Sequence, residues 1–347
     1  MLTPPDLASE TIVAHMRDVY GLSVHQVTFL PLGADFNAAV YRLEADHGGP
    51  YFLKLRRGDF DEVSVDVPAY LHAQGIQQVM APLPTCAGQL WTSGQGFTWI
   101  LYPFMQGANA YRNLLTKAQW IAFGACLRAI HMTSPPLELR QRTPREDFSF
   151  PLRGVVEAFD GRLDVYLREG DHFAADLAAF WLTRRAEIHA ILERTGQLAQ
   201  SLRRRAPAFV LCHSDLHPGN LLVGDDGQFA IVDWDAPIFA PKERDLILTA
   251  GGVGETWSDL QDEAWFYQGY CEGYGPVTPD LDALVYYRYD RIVADLASYG
   301  EQIFGEQGSE EDRTEAYDRV TSQFLPNQVI EVAHRTHTAY EVNLRDE

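Results

Sequence analysis

Two short apolar segments in the second half of the chain, each ending in polar residues, constrain the fold more than any other feature. The first is LCHSDLHPGNLLVG at residues 211–224, and the second is FAIVDWD at residues 229–235. Brief apolar runs bounded by turn residues are typical of short buried strands. Their spacing predicts two adjacent strands whose polar ends place Asp215, Asn220 and Asp233 close together.

These three residues have the types and spacing that phosphoryl transfer requires. Such a site needs a carboxylate that orients the attacking hydroxyl, oxygen ligands for magnesium and a cation on the nucleotide phosphates. Asp215 lies five residues before Asn220, as in the catalytic loop of protein kinases, and Asp233 follows on the next strand. We interpret Asp215 as the catalytic base and Asn220 and Asp233 as magnesium ligands. The alternative is that Asp215 and Asn220 only cap a turn.

The histidines of this segment have less definite roles. His213 is expected to be a structural hydrogen-bonding residue, and the role of His217 is open. Both lie near Cys212, but a zinc site would need a fourth ligand, which the sequence does not offer. The four cysteines lack CxxC spacing and are expected to be free thiols.

The first part of the chain is expected to form a small domain at residues 1–105. A helical period covers residues 6–20, and the segments VTFLPL, AAVYRLEAD and YFLKLRR that follow indicate an antiparallel meander. A helix at residues 61–74 and two more strands, at 88–91 and 97–104, complete five strands and one helix. The remainder, residues 106–347, is expected to be mainly helical, with helices from Thr116, over 174–205, near 244 and 262, and over 280–304. The segment SPPLELRQRTPREDFSFP is expected to be irregular because it is rich in proline.

The charge and length of the chain limit its partners. A formal charge of −20 over 347 residues opposes binding to nucleic acid or to anionic membranes and would attract a small cationic substrate. The alternative is that the acidity only aids solubility. The sequence shows no apolar run of about 18 residues and no signal peptide, so a cytoplasmic location is expected. It gives no indication of a protein partner.

Lys54 is one of only three lysines and lies in the middle of the strand YFLKLRR. A lysine on a strand is usually a solvent-exposed residue. Here it is the candidate for the cation on the phosphates.

The motifs resemble those of a known family. HSDLHPGN and VDWD are similar to the signature of the aminoglycoside phosphotransferases and their choline kinase relatives. The stretches IVDWDAPIFAPKERDLILTAGGVG and YYRYDRIVADLASYG, with GADFNAAVY and YFLKL, resemble the spectinomycin phosphotransferases within that family. The resemblance implies a bilobal, protein-kinase-like α+β fold, with a five-stranded antiparallel N-terminal lobe and a helical C-terminal lobe, and it implies ATP and magnesium.

The resemblance also implies residues that bind the nucleotide. Lys54 would contact the α- and β-phosphates, with Glu62 orienting it and Asp61 and Asp66 as further candidates. The turn before the second strand would cover the phosphates, although it departs from G-x-G-x-x-G, and the end of TWILYPFM would bind adenine through the Pro103 carbonyl and the Met105 amide. The remaining nucleotide candidates are Gly33, Asp35, Asn37 and Tyr102.

The sequence defines the residues that bind the acceptor less well than those that bind the nucleotide. Asp235 could reach a second metal, a substrate amine or only cap a turn. The resemblance places the wall of an aminocyclitol pocket on the helix at 280–304, whose polar stripe could equally be a salt-bridged surface. The candidates there and nearby are Trp257, Arg288, Asp290, Asp295 and Tyr299.

Three functions are compatible with these residues. The preferred one is phosphorylation of an aminocyclitol antibiotic, spectinomycin. The first alternative is a metabolic kinase for choline, methylthioribose, homoserine or a similar small alcohol. The second is an inactive kinase-like binding protein, against which the intact set of Lys54, Asp215, Asn220 and Asp233 argues.

Overall fold

The structure is a computed structural model that describes residues 4–32, 37–247, 260–326 and 328–346, with only the backbone at 260 and 339–346. The chain divides into two compact units. The first comprises residues 1–119, 126–144 and 213–238, and the second comprises 120–125, 145–212 and 239–347. The segment that carries Asp215, Asn220 and Asp233 therefore belongs to the same compact unit as the N-terminal strands. The division into lobes at residues 105 and 106 stays a prediction.

The first unit contains a five-stranded antiparallel sheet, in agreement with the sequence. Its strand order is β1-β2-β3-β5-β4. The strands are β1 (Val24–Leu30), β2 (Ala38–Ala45), β3 (Pro50–Arg56), β4 (Thr92–Gly94) and β5 (Phe97–Pro103). The prediction of a strand at 88–91 was wrong. Gly88 has a φ of +81°, and the Thr85 N–H donates to the Gln89 carbonyl at 2.8 Å, so this segment forms a turn.

The two faces of the sheet have different environments because successive side chains of a strand point in opposite directions. Leu53 and Leu55 of β3 are fully buried in a cluster with Trp99, and helix α1 (Ser9–Tyr20) contributes Ile12 and Met16 to it. Lys54 lies between the two leucines and therefore points to the opposite face. The apolar cluster thus fixes the direction of the one lysine in the strand.

Helix α2 (Val63–Ala73) leads into a segment that pairs with the catalytic region. The Met80 N–H donates to the Ile231 carbonyl at 3.0 Å, and the Ile231 N–H donates to the Gln78 carbonyl at 2.7 Å. Ile231 ends β9 (Phe229–Ile231), which pairs with β8 (Leu221–Gly224), and β8 pairs with β6 (Gly107–Asn109). These bonds hold the residues that follow β9, including Asp233, at a defined place in the first unit.

The starts of two helices can be compared with the sequence-based predictions. Helix α3 (Lys117–His131) begins with the predicted capping box, in which the Thr116 N–H donates to Gln119 Oε1 at 2.8 Å. The segment that we expected to be irregular contains helix α4 (Leu137–Arg142). Pro136 is its N-cap, a position where the missing proline N–H removes no hydrogen bond. The proline content therefore marks the start of this helix.

The second unit is mainly helical. Its strands β7 (Val210–Cys212) and β10 (Ile238–Ala240) pair with each other. Its 34-residue helix α7 and its 24-residue helix α10 pack against each other, and α10 also contacts α5, α8, α11 and α12. The helices are α5 (Leu152–Asp160), α6 (Leu163–Glu169), α7 (His172–Arg205), α8 (Glu243–Leu246), α9 (Leu260–Cys271), α10 (Leu281–Phe304), α11 (Glu310–Ser322) and α12 (Val329–Asp346). None of the described helices is long and apolar enough to cross a membrane.

The packing of the central strand leads to a stability prediction. Leu53→Ala is expected to lower the free energy of unfolding by about 2–5 kcal/mol, because it leaves a cavity in the apolar cluster. Leu137→Ala is the control, since Leu137 is 68% exposed and its truncation should cost less than about 0.5 kcal/mol. Urea unfolding followed by circular dichroism measures both, and equal losses would contradict the assigned core.

Candidate active site

An ion-paired lysine lies at the centre of the candidate site. Lys54 Nζ donates to Asp233 Oδ1 at 2.7 Å and to both carboxylate oxygens of Asp235, at 2.8 and 2.9 Å. The lysine side chain is 12% exposed. All three residues belong to the first unit. These ion pairs connect strand β3 to the segment after β9, although Lys54 and Asp233 are 179 positions apart in the sequence.

Lys54 and Asp233 determine each other's ionisation. Burial by itself would lower the pKa of Lys54, but the Asp233 and Asp235 carboxylates outweigh that effect and raise it. Burial would raise the pKa of Asp233, and the Lys54 ammonium overcomes this, so the pKa of Asp233 is lowered. The negative charge of Asp215 acts on Asp233 in the opposite direction, which places these two carboxylates within electrostatic range of each other. At neutral pH, Lys54 is cationic and Asp233 is anionic.

The residue that we interpret as the base is held by its histidine neighbour. His213 is buried, with 1% exposure, and its ring bridges two segments: Nε2 lies 2.8 Å from the Val232 carbonyl, and Nδ1 accepts the Asp215 N–H at 3.3 Å. Nε2 therefore carries the ring proton. This confirms the structural role expected for His213. The Asp215 carboxylate itself is about half exposed, which leaves it accessible to a substrate.

Two residues of this region have backbone conformations that side chains disfavour. Ser214 has a φ of +75° and Asp233 a φ of +63°, both in the left-handed region. The hydroxyl of Ser214 donates to the Ala236 carbonyl at 2.6 Å and helps to hold this geometry. Strained residues of this kind cluster at functional sites because the surrounding structure must maintain them.

Asn220 is oriented toward its predicted role. Its side-chain Nδ2 donates to the backbone carbonyl of Asp215 at 2.9 Å, and its backbone carbonyl accepts the Val232 N–H at 3.0 Å. Among the described residues no donor reaches Asn220 Oδ1. A neutral amide oxygen and the Asp233 carboxylate are hard oxygen ligands of the type that magnesium prefers. The donor set therefore fits a magnesium ion, and the role of each residue stays a prediction.

The segment expected to bind adenine also belongs to the first unit. Tyr102 and Pro103 end β5, where Pro103 pairs with Tyr51. The Phe104 N–H donates to the Pro50 carbonyl at 3.2 Å. Within the described part of the chain, the Met105 N–H makes no hydrogen bond. It remains a donor for a ligand, as the predicted adenine contact requires.

The predicted partner of Lys54 was wrong for this structure. Glu62 lies just before α2, is 55% exposed and approaches Arg142 at 3.5 Å rather than Lys54. Asp66 likewise binds Arg142, at 2.7 Å. The ammonium is occupied by Asp233 and Asp235, whose carboxylates lie within hydrogen-bonding distance, so it has no need of an acidic residue on α2.

Sequence reasoning missed Arg56. Its Nη1 lies 3.2 Å from Asp235 Oδ2, so Asp235 binds Arg56 as well as Lys54. The sequence could have indicated this contact. Residues two positions apart on a strand share a face, and Arg56 lies two positions after Lys54. This geometry favours a role that the sequence analysis did not consider for Asp235, the anchoring of these two cations.

The phosphate-covering turn is only partly described. Gly33 and Asp35 lie outside the described residues, and so does Trp257. Asn37 is exposed, and its carbonyl accepts the Arg57 N–H at 2.9 Å. The roles expected for these four residues stay predictions.

Two of the acceptor candidates on α10 are engaged within the second unit. Arg288 is buried, and its guanidinium donates to the Ile247 carbonyl at 3.1 Å and to the Thr336 hydroxyl. Asp295 pairs with Arg291 one helical turn away at 3.1 Å. Tyr299 is partly buried, which raises its pKa. For Arg288 and Asp295, these contacts support a structural role rather than a ligand-binding one.

Asp290 differs from the other candidates on α10. Burial raises its pKa to about 6, with Arg244 opposing and Glu146 adding to the shift. Glu146 occupies Arg244 at 2.8 Å and accepts the Tyr287 hydroxyl at 3.2 Å. Among the described residues Asp290 has no hydrogen-bond or ion-pair partner. A carboxylate held in this way is a functional-site candidate.

The contacts of Lys54 lead to a second prediction. Asp235→Asn is expected to lower the free energy of unfolding by about 1–3 kcal/mol, because two charge-assisted contacts to buried cations are lost. Glu62→Gln should cost less than about 0.5 kcal/mol, since its pair with Arg142 is long and exposed. Chemical denaturation of the two variants tests this. A larger loss for Glu62→Gln would restore Glu62 as the partner of Lys54.

Comparisons with known proteins identify the family of this chain. The family model described as "Phosphotransferase enzyme family" matches residues 28–284, well over half of the chain. A crystal structure of spectinomycin phosphotransferase APH(9)-Ia, in complex with ADP and spectinomycin, is 34% identical. It superposes with a TM-score of 0.88 and covers 96% of this chain and 99% of its own.

More distant relatives agree with this assignment. Protein StrN of Streptomyces griseus is 27% identical over 310 residues, 86% of each protein. Choline kinase LicA from Streptococcus pneumoniae shares the fold alone, at 13% identity and a TM-score of 0.52 over 90% of this chain and 97% of its own. The predicted kinase-like α+β fold is therefore confirmed. The chain belongs to the phosphotransferase enzyme family and is a kinase of the aminoglycoside phosphotransferase type.

Proposed function

We propose that this kinase transfers the γ-phosphoryl group of ATP to a hydroxyl of an aminocyclitol, with spectinomycin as the preferred acceptor. The observation that carries the proposal is the convergence, within one compact unit, of Lys54, Asp233 and the loop that holds Asp215 and Asn220. The choice of acceptor is supported by the 34% identity to a spectinomycin phosphotransferase over nearly the whole chain.

Lys54 supplies the positive charge for the nucleotide. Its pKa is raised, so it is an ammonium at any pH at which the enzyme would work. It contacts the α- and β-phosphates and exchanges part of its contact with Asp235 for phosphate oxygens. Adenine binds at the end of β5, where the Met105 N–H is the donor and the Pro103 carbonyl the acceptor.

Asp215 acts on the acceptor. Its carboxylate accepts a hydrogen bond from the attacking hydroxyl and aligns the oxygen with the γ-phosphorus. It takes the proton as the new P–O bond forms and the bond from the γ-phosphorus to the bridging oxygen breaks, so that ADP leaves. The backbone beneath it is fixed by His213 and Asn220, so the carboxylate needs little reorganisation. Asn220 and Asp233 would hold magnesium, which when bound neutralises negative charge on the phosphates.

Asp290 is the candidate for an amine of the acceptor. Spectinomycin carries two amines that are cationic near neutral pH, and the overall charge of −20 attracts such a ligand. An ammonium group would give Asp290 the ionic partner that it lacks among the described residues. The energetic cost of keeping this carboxylate buried is then offset on binding.

The role of Asp215 leads to a third prediction. Asp215→Ala is expected to reduce kcat by about 10²–10⁴-fold with an unchanged melting temperature, because the half-exposed side chain contributes to chemistry rather than to packing. ADP release with spectinomycin, choline, methylthioribose and homoserine measures the rate and the acceptor preference. Near-normal turnover by the variant would overturn the role of Asp215, and turnover of choline without spectinomycin would overturn the choice of acceptor.

The environment of Asp290 leads to a fourth prediction. Asp290→Asn is expected to raise the KM for the acceptor at least about 10-fold and to leave the KM for ATP unchanged. In the wild type, the KM for the acceptor should fall as the pH rises through about 6, because only the ionised carboxylate pairs with an ammonium group. The variant should lack this dependence. Steady-state kinetics at several pH values measures both.

The same substitution should also stabilise the protein. The pKa of Asp290 in the folded protein lies above the ordinary value of 3.8. Ionisation of this side chain therefore opposes folding as the pH rises above 3.8. Asp290→Asn removes this cost and should raise the melting temperature at neutral pH. Asp295→Asn is the matched control, on the same helix but paired with Arg291. Equal effects of the two substitutions would remove Asp290 from the proposal.

A further inference from the structure

His217 lies two residues after the proposed base and has two distinct contacts. Its Nδ1 accepts the Gly219 N–H at 3.0 Å, and its Nε2 lies 3.7 Å from Asp215 Oδ2. The side chain is 23% exposed, and its ring centroid lies 6.4 Å from that of Tyr111. The imidazole is therefore placed between the backbone of its own turn and the Asp215 carboxylate.

The turn fixes both the position and the tautomer of this ring. Pro218 restricts the backbone after His217, and a Cβ at position 219 would approach His217 Cε1 to 2.6 Å, so only glycine leaves room for the ring. Because the Nδ1 lone pair accepts the Gly219 N–H, the proton of the neutral ring is on Nε2. The donor thus faces Asp215.

We propose that His217 is a positioning residue for phosphoryl transfer, whose Nε2–H holds Asp215 Oδ2 and leaves Oδ1 to the acceptor hydroxyl. This inference rests on the proposed function, because it assigns His217 to the step in which Asp215 takes the proton. The separation of 3.7 Å is longer than a hydrogen bond, and catalytic hydrogen bonds of this kind shorten when substrate binds. Without the Nε2–H, the half-exposed carboxylate loses one of the contacts that orient it toward the hydroxyl.

Two substitutions separate the contact with Asp215 from the contact with the turn. In His217→Asn, the amide oxygen occupies the place of Nδ1 and can still accept the Gly219 N–H, but the donor toward Asp215 is lost. In His217→Gln, the longer amide can place an N–H near the position of Nε2, but the acceptor for Gly219 is lost. The first variant keeps the turn, and the second keeps the donor.

We expect His217→Asn to retain the melting temperature of the wild type and to lose about 10-fold or more in kcat, with unchanged KM for ATP and for the acceptor. His217→Gln should melt at a lower temperature and recover most of kcat. In an Asp215→Asn background, His217→Asn should cause no further loss, because it acts through Asp215. Wild-type kcat in His217→Asn, or additive losses in the double variant, would overturn the inference.

The tautomer provides a test that does not depend on activity. Long-range ¹H–¹⁵N correlation spectra at alkaline pH should show the His217 ring protonated on Nε2, with the signal assigned by its absence in His217→Asn. A proton on Nδ1 would overturn the inference while leaving the proposed function intact. If the wild-type enzyme phosphorylated no hydroxyl acceptor, the proposed function would fail, and the positioning role would fail with it.

Discussion

The pairing of one buried ammonium group with two carboxylates organises the candidate site. A charge removed from water is unfavourable unless it is paired, and Lys54 meets this requirement through Asp233 and Asp235. The lysine is carried by the central region of the sheet, and the two aspartates follow a strand that is held by the segment after α2. Any displacement of either part would leave the ammonium unpaired. This requirement keeps Lys54, the proposed phosphate-binding cation, beside the proposed magnesium ligand Asp233.

The loop around Asp215 is held in place at a cost in backbone strain. Residues such as Ser214 and Asp233, with positive φ, are each less stable by about 1–3 kcal/mol than in a relaxed conformation. Buried hydrogen bonds from His213 and Asn220 maintain the loop against this tendency. The benefit is preorganisation, since groups that are already aimed at the reacting atoms need not reorganise during transfer.

Two aspartates illustrate how neighbours decide the chemistry of the same side chain. Asp233 is beside an ammonium group, which keeps its pKa low, so it is an anion suited to a metal. Asp290 is partly buried, and Arg244, the cation that opposes the effect of burial, is occupied by Glu146, so the pKa of Asp290 is raised to about 6. Its burial costs stability unless a cationic ligand arrives. At this position, the proposed binding of the acceptor therefore requires a carboxylate that lowers the stability of the free protein.

The sequence by itself predicted the fold class and the five-stranded sheet, and it selected Lys54, Asp215, Asn220 and Asp233 as candidate site residues, whose roles stay predictions. It could do so because hydrophobic periodicity fixes which face of a strand is buried, and because Asp215, Asn220 and Asp233 lie close along the chain, where spacing limits geometry. Lys54 was selected for a different reason, its position in the middle of a strand that resembles the family's. Only the tertiary structure decided the partner of Lys54, which is Asp233 rather than the nearby Glu62. The reason is physical, because an ion pair forms between groups that packing brings within a few ångströms of each other. Lys54 and Asp233 are 179 positions apart, and a single sequence does not show that two such distant residues lie close together in the fold.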